Sequence, residues 1–181
     1  GTIACFSLPV AAFDNLLTAR VFDLYDDPMP SVADLEGYAG DTVSSVIQLG
    51  AIILAGGEEP GSAEAAGFTG VAAAVTGIIA GLGVRPADRK FLPGAENADD
   101  AQTRAIVESL RQLAETRLRE ARESLKSVDP EVLPAFLPAA TGGTLLKQMT
   151  RTGFDPLTEI ADLSPFRRQW AIWRAARRGT I

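Results

Sequence analysis

Residues 65–82, with the sequence AAGFTGVAAAVTGIIAGL, decide how the rest of this chain can fold. The segment carries no charge, and Gly or Ala recurs at positions 70, 74, 77 and 81, which lie along one face of a helix. A segment of this length is just able to span a bilayer. A groove of small residues, however, is typical of a helix on which neighbouring backbones pack closely. Because each interior Gly costs a helix roughly 1 kcal/mol relative to Ala, close packing or a ligand cavity must compensate. The segment therefore predicts a buried central helix, with a membrane span as the alternative.

Hydrophobic periodicity on either side of this segment predicts further helices and no strand. Helices are expected over residues 8–25, 31–55, 101–127, 133–138, 141–150 and 164–178, with a short helical restart at the Asp129-Pro130 pair. The first is expected to bury Phe13, Leu16, Leu17, Val21 and Leu24, and the second Leu35, Ala39, Thr42, Val46, Leu49 and Ile53. The chain is therefore expected to be all-α, with one domain over residues 1–181.

Bulk composition excludes several classes of function. The 181 residues are 46% hydrophobic and 22% charged, which suits a globular core. The absence of histidine excludes a His-based catalytic triad and His-ligated zinc. A net charge of -6 argues against a nucleic-acid partner. The single Cys5 and the lack of a basic leader segment favour a reducing, cytoplasmic location.

Four stretches of the chain, in this order, resemble the squalene/phytoene synthase family of head-to-head prenyl synthases. They are Ala19-Arg-Val-Phe-Asp-Leu24, Asp34-Leu-Glu-Gly-Tyr38 with Thr42-Val-Ser-Ser45, residues 70–93 with their Phe-Leu-Pro ending, and the tail from Phe154-Asp-Pro156 to Trp173. The resemblance implies an isoprenoid-synthase-like helical bundle around a central apolar cavity. It covers nearly all of this chain but only the C-terminal two-thirds of a typical member, whose first helices have no counterpart here.

The resemblance also implies where metal-binding carboxylates should stand, and the sequence departs from the family there. The family's enzymes use two DxxxD motifs to hold Mg²⁺ against the substrate diphosphates. The first motif belongs to the part of the pattern that this chain lacks. The second should fall within residues 76–84, at Ala80 or Gly81 and then at Val84 or Arg85, and none of these is acidic. The departure resembles a divergent branch of the family that includes a respiratory complex I assembly factor.

The candidate ligand-binding residues lie at the ends of the first and central helices. They are Arg20, Asp23, Tyr38 and Gly77 beside the expected cavity, and Arg85, Arg89 and Lys90 in a basic elbow that can bind a diphosphate or a lipid head group directly. Asp23 and Asp27 are the weak catalytic candidates, because an i,i+4 spacing would put both carboxylates on one helix face. The alternatives are a solvated acidic helix end and a solvated basic loop, and no metal ligand is assigned.

The last predicted helix combines aromatic and basic residues. Phe166, Trp170, Trp173 and Ala176 share one stripe, and Arg167, Arg168, Arg174, Arg177 and Arg178 surround it. Residues 163–181 thus hold five Arg and no acidic side chain, while residues 1–162 hold twelve basic and 23 acidic side chains. Such helices can lie in the headgroup plane of a membrane. Trp170, Trp173, Arg174 and Arg178 are therefore candidates for contact with a membrane or a protein partner. The alternative is that both Trp side chains pack inward.

These patterns predict a family member that lacks the metal motifs, needs no cofactor and binds an isoprenoid, a lipid or a protein partner without catalysis. The main alternative is a prenyltransferase of isoprenoid biosynthesis that uses Mg²⁺ to condense two allylic prenyl diphosphates. A purely structural assembly factor at a membrane would share the scaffold without needing the cavity. The expected location is the cytoplasm, with peripheral attachment to the inner membrane as a further option.

Overall fold

The computed structural model describes all 181 residues, and they form helices and connecting turns without a strand. The predicted all-α class is therefore confirmed. The α-helices are α1 (Thr2–Cys5), α2 (Val10–Arg20), α3 (Val32–Ala39), α4 (Ser45–Leu54), α5 (Ala63–Gly81), α6 (Asp100–Ser124), α7 (Gly142–Met149) and α8 (Pro165–Arg178).

Helix α5 lies at the centre of the bundle, as residues 65–82 predicted. Eleven of its residues are buried, and its longest contact is with α6. By length and composition alone α5 is the one helix that could cross a membrane, but 56% of its apolar window is buried inside this domain. Helix α6 begins at a capping box, in which Asp99 accepts from the Gln102 amide while the Gln102 side chain accepts from the Asp99 amide.

The helix predicted over residues 31–55 is divided by a π-helical turn, Gly40–Ser44. It begins at the predicted residue, where Ser31 is the N-cap and accepts a hydrogen bond from the Asp34 amide. The turn adds one residue to the helix and so rotates everything after it by about 100°. Beyond the turn the predicted stripe is correct only at Leu49, which is buried. Val46 is exposed and Ile53 only half-buried, whereas Ala51 and Ile52 enter the core.

The helix predicted over residues 8–25 is shorter and buries less than expected. Helix α2 ends at Arg20 and tightens into a 3₁₀ turn, Val21–Leu24, whose period of about three residues breaks the 3.6-residue stripe. Leu17 and Leu24 are 65% and 79% exposed, so their predicted burial is wrong. Phe22, which was not in the predicted stripe, packs against the core instead.

The segment between α6 and α8 is mostly 3₁₀. The restart at Asp129-Pro130 is present, with the Asp129 carboxylate accepting from the Glu131 amide. It forms two 3₁₀ segments, Pro130–Ala135 and Leu137–Thr141, rather than one helix over residues 133–138. Helix α7 follows, close to the predicted 141–150. The chain then returns to the end of α5, where the Ala161 amide donates to the Ala80 carbonyl over 3.0 Å.

Candidate functional site

An open cleft of about 540 Å³ lies between the middle of α5, the end of α3 and the turn that follows α5. We call it the central cleft. Its wall is apolar and includes Val43, Ala73, Ala74, Gly77, Ile78 and Phe91, while its rim carries Arg20, Asp23, Asp26, Arg85, Asp88 and Lys90. The expected cavity is thus present as a solvent-open cleft with a charged rim. Its size and lining suit an apolar ligand with one polar end.

One side of the rim is a triad of Arg20, Asp23 and Tyr38. The Tyr38 hydroxyl donates to Asp23 over 2.7 Å and accepts from Arg20 over 2.9 Å, and Arg20 also pairs with Asp23 at 3.0 Å. Burial of the phenol, followed by its hydrogen bond to the Asp23 carboxylate, raises the pKa of Tyr38 to about 12. Three residues from two separate helical segments are therefore held in one closed network, and the sequence analysis placed all three beside the cavity.

The Tyr38 ring of this triad also packs in a cluster of three aromatic rings. Phe22, Tyr38 and Phe91 have ring centroids 5.3 to 6.0 Å apart in tilted pairs. The Lys90 ammonium lies 5.3 Å from the Phe22 ring centroid and 5.5 Å from that of Phe91. It also donates to the carbonyls of Phe22, Asp23 and Tyr25. Lys90 thus binds the end of the Val21–Leu24 turn, and its ammonium group already donates its hydrogen bonds to these backbone carbonyls.

The opposite side of the rim is formed by the turn after α5. Pro86–Phe91 is 3₁₀, so residues three apart lie on one side, and Arg85, Asp88 and Phe91 all face the cleft. The Arg85 guanidinium lies over Gly81, where a Cβ would be only 2.2 Å from its Nη2 atom. It donates to the Gly77 carbonyl over 3.0 Å and pairs with Asp88 at 3.0 Å.

The same 3₁₀ geometry turns Arg89 away from the central cleft. Its guanidinium donates to the Ala98 carbonyl over 2.7 Å and to the Thr103 hydroxyl, and so connects the turn to the start of α6. The prediction that Arg89 joins Arg85 and Lys90 in one anion-binding group is therefore corrected. Neighbouring residues of a 3₁₀ turn point about 120° apart, so basic residues that are close in sequence do not necessarily form one basic surface.

The carboxylates of the rim do not form a metal site of the kind that the resemblance implies. The helical turn ends at Leu24 and Tyr25 is extended, so Asp27 does not share a helix face with Asp23, and that prediction is wrong. Asp26 lines the cleft instead. Asp23 is bound by Arg20 and Tyr38, and Asp88 is paired with Arg85. No group of three or more acidic or sulfur ligands converges anywhere in the structure. The residues present do not fit a Mg²⁺ ion.

Positions 80 and 81, where the family pattern places the first acid of its second motif, are also closed to such a ligand. Ala80 and Gly81 are both buried. The Ala80 carbonyl accepts from the Ala161 amide, and Gly81 is covered by the Arg85 side chain. A guanidinium cation therefore lies where a metal-binding carboxylate is expected. This substitution of charge is the clearest departure of the site from the pattern.

Several residues of the site were not predicted from the sequence. Asp26, Asp88 and Phe91 line the central cleft, and Phe22 supports it. The spacing of three between Arg85, Asp88 and Phe91 is the signal that could have found two of them, had the Pro86 segment been interpreted as a 3₁₀ helix. Nothing in the sequence marks Asp26, because an extended residue after a helix end has no periodic position.

A helical bundle with an amphipathic cleft beside a glycine-containing central helix is the class that the fold and site define. The family model described as squalene/phytoene synthase matches residues 1–174, and the chain belongs to that family. No curated protein matches the sequence. The branch of the family that the sequence suggested, the one with the complex I assembly factor, stays a prediction.

Proposed function

We propose that this chain binds a neutral isoprenoid or similar lipid in the central cleft and does not condense prenyl diphosphates. The observation that supports the proposal is the charge balance of the rim. Three cations, Arg20, Arg85 and Lys90, face three carboxylates, Asp23, Asp26 and Asp88, so the formal charge of the rim is zero.

A diphosphate head group carries several negative charges and needs a surplus of positive charge to leave water. The rim offers no such surplus, since each cation is held by a carboxylate or by backbone carbonyls. Its three carboxylates would repel the diphosphate unless a metal bridged them, and their arrangement does not fit one. A hydroxyl or carbonyl group, in contrast, needs only a hydrogen-bond partner, which the Arg20–Asp23–Tyr38 triad supplies in both donor and acceptor form.

The apolar part of the ligand would lie along Ala73, Ala74 and Gly77. A second cleft, of about 390 Å³, shares Ala73 and Gly77 with the first, and its wall includes the buried side chain of Thr76. Gly77 has no neighbouring atom within 4 Å of the position of a Cβ, so the surface of α5 stays open between the two clefts. A ligand long enough to reach from one cleft into the other would contact α5 at Ala73 and Gly77 in both, which favours an isoprenoid over a compact ligand.

Equilibrium dialysis with radiolabelled geranylgeraniol and geranylgeranyl diphosphate tests the proposal. The alcohol should bind more tightly than the diphosphate, and Mg²⁺ should change neither affinity. Gly77→Leu should weaken alcohol binding by about tenfold or more, because the new side chain enters the cleft. Ala63→Leu is the matched control, since this residue is exposed on α5 outside the cleft, and its binding should be unchanged. Tighter binding of the diphosphate in Mg²⁺ would contradict the proposal.

The enzymatic alternative is tested by pyrophosphate release from farnesyl or geranylgeranyl diphosphate in the presence of Mg²⁺. We expect none above the uncatalysed background, because the rim carboxylates do not converge on a metal position. Release that requires Mg²⁺ and disappears in Asp23→Ala would establish the prenyltransferase function instead.

A further inference from the structure

Helix α8 has two different faces, and only one of them belongs to the fold. Towards the domain it presents small and aliphatic residues, of which Ala175 is buried and Ile172 half-buried beside the Leu137–Thr141 segment. The helix is well defined at both ends, since Ser164 accepts from the Arg167 amide and Gly179 adopts the left-handed conformation with φ of 70°. The outer face of a stable helix is therefore fixed in position.

The outer face carries a row of aromatic side chains that nothing covers. Phe166, Trp170 and Trp173 are 75%, 50% and 49% exposed. They stack on one another along the helix, with ring centroids 6.5 Å and 4.8 Å apart. The alternative that both Trp pack inward is therefore wrong. Three adjacent exposed aromatic rings form an apolar patch of a kind that marks an interaction surface.

The aromatic row is flanked by arginines whose charges are not neutralised. Arg168 pairs with Asp162, but Arg167, Arg174, Arg177 and Arg178 have no carboxylate partner. Arg177 lies 5.2 Å from the ring centroid of Trp173. A cleft of about 590 Å³ beside α8 is lined by Arg122, Lys147, Arg174 and Arg178 and by no acidic side chain. This side of the molecule is basic, whereas residues 1–162 carry 23 acidic against twelve basic side chains.

We propose that the outer face of α8 lies on the surface of a bilayer that contains anionic phospholipids. The Trp and Phe rings would enter the headgroup region, and the free arginines, which lie on the aromatic face and along one side of it, would contact lipid phosphates. The basic cleft between α7 and α8 would receive one anionic head group. The proposal is independent of what the central cleft binds.

The geometry favours a bilayer over a protein partner for two reasons. The three aromatic rings and Arg177 recur at spacings of three and four along one helix of 14 residues, about 21 Å long. These four side chains therefore share a face that can lie on one flat surface. The acidic remainder of the chain would also be repelled by an anionic surface, which leaves α8 as the side that faces it. A protein interface of ordinary size would need a larger and more varied patch than one helix face provides.

Tryptophan fluorescence tests the proposal directly, because Trp170 and Trp173 are the only two tryptophans. Vesicles of phosphatidylcholine with 30% phosphatidylglycerol (about one lipid in three, enough for a strongly anionic surface) should shift the emission to the blue at low salt. Pure phosphatidylcholine vesicles should cause no shift, and high salt should reverse the effect of the anionic ones. Poly-glutamate serves as the soluble anionic probe and should cause no shift.

Charge variants separate the outer face of α8 from general basic charge. Replacing Arg174, Arg177 and Arg178 together with Gln should weaken co-sedimentation with the anionic vesicles by roughly 100-fold, at about fivefold per arginine. The control variant replaces Arg104, Arg119 and Lys126 with Gln, all exposed and outside α8. It makes the same change in net charge, although Arg104 and Lys126 are paired with Asp155 and Glu123, and it should bind within about threefold of the original chain if α8 is the contact. Circular dichroism of both variants should be unchanged.

Four results would overturn the proposal. The first is no blue shift with anionic vesicles, and the second is an equal shift with neutral ones. The third is a shift with poly-glutamate as large as that with vesicles, which would assign the surface to an acidic protein partner. Equal losses in the two triple variants would likewise remove α8 from the contact.

Discussion

Two glycines seven residues apart on the same face of α5 have opposite environments. At Gly70 the backbone of the π-helical turn comes so close that a Cβ would lie 2.4 Å from the Ser44 amide nitrogen and 2.5 Å from its Cα. At Gly77 a Cβ would have no neighbour within 4 Å, and the space is the central cleft. One glycine permits helix packing, and the other leaves room for a ligand.

The comparison shows that a stripe of small residues on a helix does not have a single meaning. At Gly70 the π-helical turn fills the space that a side chain would occupy, and the Ser44 hydroxyl donates to the Gly67 carbonyl over 3.1 Å. At Gly77 no other part of the protein fills the corresponding space. An unused small residue in the middle of a central helix costs stability, since Ala would favour the helix by about 1 kcal/mol. That cost is the reason to expect a function there.

The largest expected effect is at the packed end. Gly70→Ala should destabilise the protein by about 3 kcal/mol or more, because the new methyl group meets backbone atoms that cannot move alone. Urea denaturation followed by circular dichroism measures the change. Adding Ser44→Gly should restore only a small part of the loss, since the amide and Cα of residue 44 remain in the way. A loss below about 1 kcal/mol would show that the two helices separate easily.

At the open end the same substitution should act in the opposite direction. Gly77→Ala should stabilise the protein by about 0.5–1 kcal/mol, because it improves helix propensity and creates no clash. The same urea experiment, run beside Gly70→Ala, gives the sign directly. Destabilisation by Gly77→Ala would mean that the cleft closes in solution and that the contrast between the two glycines is lost.

The smallest expected effect concerns the rim, and it shows only as a loss of stability at high pH. The folded protein keeps the Tyr38 proton up to a pKa of about 12, whereas the unfolded chain releases it near the ordinary pKa of about 10. The contribution of Tyr38 to the free energy of unfolding is therefore fully present below pH 10 and falls as the pH rises through about 12.

Ultraviolet absorbance of a Tyr25→Phe variant isolates this titration, since Tyr25 and Tyr38 are the only tyrosines. Asp23→Asn should move the midpoint down, because the negative charge that accepts the hydrogen bond from the Tyr38 hydroxyl is lost while Arg20 remains. A midpoint near 10 in the parent variant would show that the triad does not hold in solution. An upward shift in Asp23→Asn would show that Asp23 is not the partner.

Much of the fold could be predicted from the sequence because helix periodicity and caps are local. Ser31 and Ser164 cap their helices as short-range chemistry requires, and the central position of α5 follows from its uncharged composition. The π-helical turn at Gly40–Ser44 has no such local signal, and it packs against α5 at Gly70, which is a tertiary contact. The predicted face of α4 was wrong at Val46 and Ile53 but correct at Leu49.

The sequence predicted several residues of the candidate site but not how they are arranged. Arg20, Asp23 and Tyr38 were named, but their closed hydrogen-bond network depends on how α2 and α3 meet. Arg85 and Arg89 were treated alike, and only the 3₁₀ form of Pro86–Phe91 separates them. Whether an arginine of this turn faces the cleft depends on its position in the 3₁₀ helix, where each residue is rotated by about 120° from the one before. Tertiary contacts decide that the segment is 3₁₀.

The hydrogen bonds of Lys90 also bear on the order in which the molecule folds. They join residues that are 65 to 68 positions apart in the chain, across the whole of α3, α4 and α5. Closing a loop of that length is entropically costly, and contacts of such separation form slowly. The rim of the cleft should therefore assemble after the α5–α6 core, as one of the last steps of folding. In native-state hydrogen exchange, amides of residues 21–25 should open more readily than those in the middle of α5.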